Sequence, residues 1–171
     1  MQQSITSILS FTDLFDNLTE TQLELIASIC IPETYQIGDI LVKEHDSSDD
    51  MYVIARGTVE VIMDPGFVGD EINQDKVDPV ALTELRQGQV FGEVSLVDQG
   101  IRTASIRVNQ ENAQLLRIPR AQVMLLCDTY PELGYKLMKN IAADLAFKIR
   151  NTDLTIRQYQ LLLFQSKRNA S

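Results

Sequence analysis

One histidine in 171 residues, His45, is too few for the clustered imidazoles by which β-barrel enzymes hold metals, so a histidine-rich metal site is excluded. Cysteine is nearly as scarce. Cys30 and Cys127 stand far apart and form neither a disulfide framework nor a zinc pattern. Cys127, inside the apolar run VMLLC, reads as a buried free thiol in a reducing compartment. Basic residues are outnumbered, 15 against 24 acids, for a net charge of −9. Such a surface repels polyanions, and the tail pair Lys167 and Arg168 is too small a patch to reverse that, so no nucleic-acid partner is expected. No run approaches the roughly 18 apolar residues of a membrane span. The start MQQSITSILS also lacks a basic region ahead of a long apolar one, so no membrane association is expected and the chain reads as cytoplasmic. Ser95 and Ser105 have no histidine at hand and no GxSxG elbow is present, which leaves nucleophilic catalysis unsupported. The run EHDSSDD around His45 is rich in oxygen ligands but lacks EF-hand spacing and its central glycine, and reads as a solvated turn. Neither a metal nor an enzymatic activity is expected.

What remains is globular: 44% hydrophobic and 23% charged, without low-complexity tracts. The periodicity changes twice along the chain. Residues 1–32 form a helical segment, with FTDLFDNLTETQLELIASI read as helix and Thr19 as an N-cap before Glu20 and Gln22. Leu23, Ile26 and Ala27 give that helix one apolar face. Residues 33–119 break into short β-branched segments of alternating pattern, among them DILVKE, DMYVIARG, TVEVIMD and AQLLRIP, punctuated by glycines such as Gly38, Gly57 and Gly88. About eight such strands at near-regular spacing argue for a sandwich, jelly roll or barrel. The acidic stretch 64–79 reads as a long exposed hairpin loop. Residues 120–171 return to helical period, with a short helix that stops at Pro131 and a long one after it. Along the long helix Met138, Ala142, Leu145, Ile149, Thr152, Ile156, Tyr159 and Leu163 recur at alternating spacings of four and three. This seam fits a two-stranded self-pairing helix, or else a helix folded back on its own barrel.

One stretch, FGEVSLVDQGIRTASI, places a lone carboxylate and a lone guanidinium inside an apolar run. Gly92 lets backbone approach a ligand closely. If Val94, Ser95 and Leu96 open a short helix, their exposed N–H groups make an anion cradle. Arg102 supplies a planar fork that matches phosphate oxygens. Glu93 repels phosphate but accepts from a sugar hydroxyl, and it also has the charge to balance Arg102. The residues alone therefore leave two readings, a small-nucleotide site or a partly buried Glu–Arg pair that fixes a loop.

The same stretch resembles the phosphate-binding cassette of the cyclic nucleotide-binding domain family, which includes catabolite activators, protein kinase A regulatory subunits and cyclic nucleotide-gated channels. Phe91, Gly92 and Glu93 match its FGE, and Arg102, Thr103 and Ala104 its R-[AT]-A, within a cassette at 91–104. The likeness runs from about Phe11 to Arg150 and includes MYVIARGTVEV and LLRIPRAQVMLLCDTYPEL. It implies an α+β, mainly β fold: an eight-stranded antiparallel β-roll, jelly-roll-like, flanked by N- and C-terminal helices. It further implies Glu93 as acceptor of the ribose 2′-hydroxyl and Arg102 as clamp of the cyclic phosphate. Backbone at Gly92, Val94 and Ser95 would meet phosphate, Leu85 would wall the base, and Thr103 would bond the guanine amino group or the phosphate. Asp144, Lys148 and Ile149 fall where a base lid is expected, but match neither of the family's usual selectivity residues. The turn EHDSSDD departs from the family's glycine-rich version and is expected to lie away from the phosphate. The chain ends inside the long helix at KRNAS, so no effector domain is expected. The resemblance thus implies a stand-alone regulatory module that binds cAMP or cGMP and switches a separate downstream protein, dimeric through its last helix. The alternative is an interaction domain that keeps the fold without the ligand; a fragment of a larger regulator is a third reading.

Overall fold

Thr19 begins a helix as expected, but the helical segment before it is broken into three pieces in the computed structural model, which describes residues 4–63, 80–98 and 100–169. Helix α1 spans Ile5–Ser10 and is capped by the Ser4 hydroxyl, which accepts from the Ser7 N–H. A 3₁₀ turn covers Asp13–Phe15, and α2 spans Glu20–Ile29. The single helix over Phe11–Ser28 fails for local reasons. Thr12 turns its hydroxyl back onto the Ile8 carbonyl, and Asn17 takes a left-handed conformation with φ 63°. The chain then restarts at a capping box, with Gln22 N–H bonded to the Thr19 hydroxyl and Thr19 N–H to the Gln22 amide oxygen.

The strands are β1 Ile31–Tyr35, β2 Ile40–Val42, β3 Met51–Arg56, β4 Thr58–Met63, β5 Val80–Arg86, β6 Val90–Phe91, β7 Ser105–Val108 and β8 Ala113–Ile118. Strand β1 opens inside the segment assigned above to the N-terminal helices. Two four-stranded antiparallel sheets result, ordered β1-β8-β3-β6 and β2-β7-β4-β5, which is the eight-stranded roll implied by the sequence. The predicted hairpin loop at 64–79 lies outside the described residues.

Strand β3 reads MYVIA because both of its faces are covered. Met51, Val53 and Ala55 join a cluster beneath the helices, whereas Tyr52 and Ile54 face the space between the sheets. On β8, Leu116 and Ile118 against Ala113 and Leu115 divide the same way.

Helix α3, Val94–Asp98, interrupts the roll, and α4, Arg120–Thr129, leads to α5, Pro131–Asn169. Proline fits at the first turn of α5, where its missing N–H is not needed. Leu133, Leu137 and Ile141 are fully buried under the roll, and Met138 and Leu145 pack against the same cluster. Of the predicted seam, Met138 and Leu145 therefore pack on the chain's own core, whereas Ala142 and the described members from Ile149 onward are exposed. The folded-back reading applies to these first turns, and self-pairing is an expectation for the exposed turns beyond them. Asn140 anchors the helix by donating to the carbonyls of Leu14, at 3.0 Å, and Asp16, at 2.8 Å.

At Gly134 helix α5 crosses α4 so closely that a Cβ would lie 2.9 Å from the Cys127 carbonyl oxygen. Gly134→Ala gains up to about 1 kcal/mol of helix propensity, but overpacking against backbone costs roughly 1–3 kcal/mol. The substitution is expected to destabilise the fold, read as a lower denaturant midpoint at unchanged m-value; a raised midpoint would contradict this packing.

Candidate functional site

Strand β6 delivers Phe91 into the roll, where its ring stacks on Tyr52 with centroids 4.9 Å apart. The next residue, Gly92, has φ 81°, and a Cβ there would meet the Asp50 carbonyl oxygen at 2.7 Å and Arg102 Nη1 at 2.8 Å. The glycine is thus required by a close approach of protein to protein, the loop before α3 running against the turn before β3. Val94 is exposed and Ser95 buried in the first turn of α3, and the N–H groups of both donate to no described acceptor outside the helix.

Arg102 lies at the centre of this packing, only 6% exposed. Its Nε donates to Ser48 Oγ at 3.1 Å, Nη1 to Ser95 Oγ at 3.0 Å and to the Gly92 carbonyl at 3.4 Å, and Nη2 to the Asp50 carbonyl at 2.5 Å. Every one of these acceptors is neutral. Among the described residues no carboxylate lies within ion-pair distance of the guanidinium. Asp50 does carry a charge nearby, but its carboxylate is taken by Arg117 at 3.0 Å, and Arg117 in turn bonds Glu33 at 2.8 Å. Burial lowers the pKa of Arg102 below the usual arginine value, partly offset by Tyr52, Asp50, Asp49 and Glu93. A buried cation with neutral partners has its donors satisfied and its charge uncompensated, an arrangement that favours an incoming anion.

Two expectations are corrected here. The turn EHDSSDD does not lie away from the arginine: Ser48 and Asp50 hold its side chain, the Arg102 N–H donates to the Asp46 carbonyl, and the His45 N–H donates to the Arg102 carbonyl. Glu93 does not balance Arg102 either. Its side chain, 4% exposed, accepts from Lys148 Nζ at 2.6 Å, and the same ammonium lies 2.8 Å from Asp144 Oδ2. Burial works against the charge on Lys148, but Glu93 and Asp144 together outweigh it and raise its pKa above the ordinary lysine value.

Beside this pair a cleft of ≈ 470 Å³ opens between α5 and the turn from β5 to β6, with Leu85, Val90, Asp144, Phe147 and Lys148 on its walls. Leu85, Asp144 and Lys148 thus come together as expected. Ile149 does not: it is 63% exposed and absent from the cleft, and Phe147 stands on the wall instead. Thr103 is exposed and Ala104 half-buried on the way into β7. Sequence reasoning missed Ser48, Asp50 and Phe147. Among the described residues no group of three His, Cys, Asp or Glu side chains could hold a metal ion, and no helix is long and apolar enough to cross a membrane.

The family profile described as "Cyclic nucleotide-binding domain" matches residues 32–130. The cyclic AMP receptor protein of Thermus thermophilus is 30% identical over 156 residues, which cover 91% of this chain and 64% of that protein. The human cGMP-dependent protein kinase 2 is 25% identical over 139 residues, 81% of this chain and 17% of the kinase. Among solved structures, the catabolite activator protein of Thermus thermophilus superposes with a TM-score of 0.70 at 26% identity, over 87% of this chain and 63% of that one. The chain spans less than two thirds of each of these proteins.

Proposed function

Because this chain belongs to the cyclic nucleotide-binding domain family, we propose that it is a regulatory module that binds a 3′,5′-cyclic nucleotide, cAMP or cGMP, and switches a separate protein partner. The observation that carries this reading is Arg102, a buried guanidinium whose partners are all neutral. A cyclic phosphate bears one negative charge and supplies the counter-ion. In this reading Ser95 and the amides of Val94 and Ser95 join Arg102 at the phosphate, with Gly92 giving them room. Glu93 accepts from the ribose 2′-hydroxyl, and Leu85 with Phe147, Asp144 and Lys148 borders the base. The module binds and does no chemistry on its ligand. Both thiols are free, and burial raises the pKa of Cys127 and pushes that of Cys30 up to about 12, so both are inert, consistent with a reducing cytoplasm. The net charge of −9 supports a protein partner over a nucleic acid.

Relatives named for cAMP and relatives named for cGMP both resemble the chain, and Glu93 and Arg102 are matched to the sugar-phosphate that the two ligands share. Discrimination is therefore expected to be weak and to rest on Thr103. Thr103→Ala should weaken cGMP more than cAMP by about 1 kcal/mol, the worth of one neutral hydrogen bond. Equal losses would make Thr103 a phosphate ligand and leave selectivity to Asp144 and Lys148. The direct test of the function is calorimetric titration with cAMP and cGMP at one salt concentration. Saturable binding of either supports the proposal, and no binding of both would leave an interaction domain that keeps the fold alone.

A further inference from the structure

We propose that Lys148 is an internal competitor for the ribose acceptor: its ammonium pairs with Glu93 and holds α5 against the site, and a cyclic nucleotide binds by displacing it. The inference rests on the functional reading above and adds the regulation of that site. Glu93 is buried, whereas the Lys148 side chain is 47% exposed, so the lysine is the partner with room to leave. It comes from a different element, and its bond to Glu93 Oε1 ties α5 to the loop that carries the cassette. Asp144, one turn earlier on the same helix and 2.8 Å from the ammonium, gives the displaced lysine a second anionic partner. Release from Glu93 therefore leaves the ammonium paired, and the cost falls on the buried carboxylate, which keeps only the ligand hydroxyl.

The position of Lys148 along the helix gives the exchange a consequence. Leu145 still packs on the core, and Ile149 is exposed. The contact lies where α5 leaves its own domain and begins the outward seam. A ligand hydroxyl that takes Glu93 from Lys148 thereby loosens the helix at the point from which the seam extends. Because the hydroxyl is neutral and the ammonium charged, the exchange at Glu93 alone is unfavourable. The phosphate at Arg102 provides the compensating gain, so a ligand must carry both groups to enter.

Lys148→Met removes the ammonium and keeps a long apolar stem, and Lys148→Arg keeps the charge. Calorimetry with cAMP and cGMP should give about tenfold tighter binding for the methionine variant, the difference between a charged and a neutral hydrogen bond. The arginine variant, which keeps a cation opposite Glu93, should show no such gain. Hydrogen exchange supplies a second readout over residues 141–152: nucleotide should raise exchange there in the wild type, and K148M should show the raised level before nucleotide is added. Equal or weaker nucleotide binding by K148M, with wild-type binding intact and weakened in Arg102→Ala, would make Lys148 an ordinary lid contact and overturn this inference alone. No binding by either wild type or K148M would overturn the functional reading with it.

Discussion

Arg102→Ala is expected to weaken nucleotide binding by a few kcal/mol and to leave the domain folded. The two halves of this result have one cause. Arg102 is buried among Ser48 Oγ, Ser95 Oγ and the carbonyls of Gly92 and Asp50, without an anionic partner among the described residues. Truncating one member of a buried, hydrogen-bonded charge pair costs a complex roughly 2–5 kcal/mol, which is on the order of 30- to 4000-fold in affinity. Stability responds differently. The fold loses a set of hydrogen bonds worth about 1 kcal/mol each in net terms, but it also sheds the desolvation penalty of an unpaired cation, itself several kcal/mol. These offset, so the thermal midpoint should move little while the calorimetric affinity falls. Unchanged affinity in this variant would remove Arg102 from the site. Arg102→Lys should not restore binding, because a point charge on a flexible stem cannot satisfy the acceptors that the planar fork meets together.

How much of this was legible in the sequence depended on the range of each interaction. The capping box at Thr19 and Gln22 spans three residues and was read from local pattern, as were the short alternating strands. The break at Thr12 and Asn17 is local too, but Thr, Asp and Asn also occur inside helices, so the pattern did not announce it. At the site, Gly92, Glu93 and Arg102 lie within one stretch and were found together, whereas their partners were not. Ser48 meets Arg102 across 54 positions and Lys148 meets Glu93 across 55, and no periodicity links residues that distant. The error over EHDSSDD has the same origin. Its composition reads as solvated, and only the fold brings its carbonyls and Ser48 against the buried guanidinium. The seam of α5 was visible as a repeat, but a repeat does not say which of its members face the chain's own core; Met138 and Leu145 do, beside the buried Leu133, Leu137 and Ile141.

The outward part of that seam supports the second large effect: Ile149→Lys combined with Ile156→Lys should convert a dimer into a folded monomer. Every described side chain of α5 from Phe147 to Ser166 is exposed, including Ile149, Ile156, Tyr159 and Leu163 on the seam. A helix that projects beyond its domain with a continuous apolar stripe is poorly supported in water, because helical stability comes chiefly from packing. A second copy is the partner that the pattern fits, since β-branched isoleucines at one seam position favour two strands. Burial of the exposed seam side chains on both helices gains on the order of 10 kcal/mol at about 1 kcal/mol for each half-exposed side chain and a little more for tyrosine. Association entropy removes at least about 4 kcal/mol of that, which leaves a weak dimer, of roughly tens of micromolar affinity at the tightest. The two lysines delete the central isoleucines and set like charges against each other across the seam. Neither isoleucine belongs to the buried core, so the thermal unfolding of the roll should survive while the sedimentation coefficient falls to that of a monomer. Wild-type protein that sediments as a monomer at high concentration would sink the dimer, and an unfolded double variant would show instead that these turns of α5 pack on their own domain.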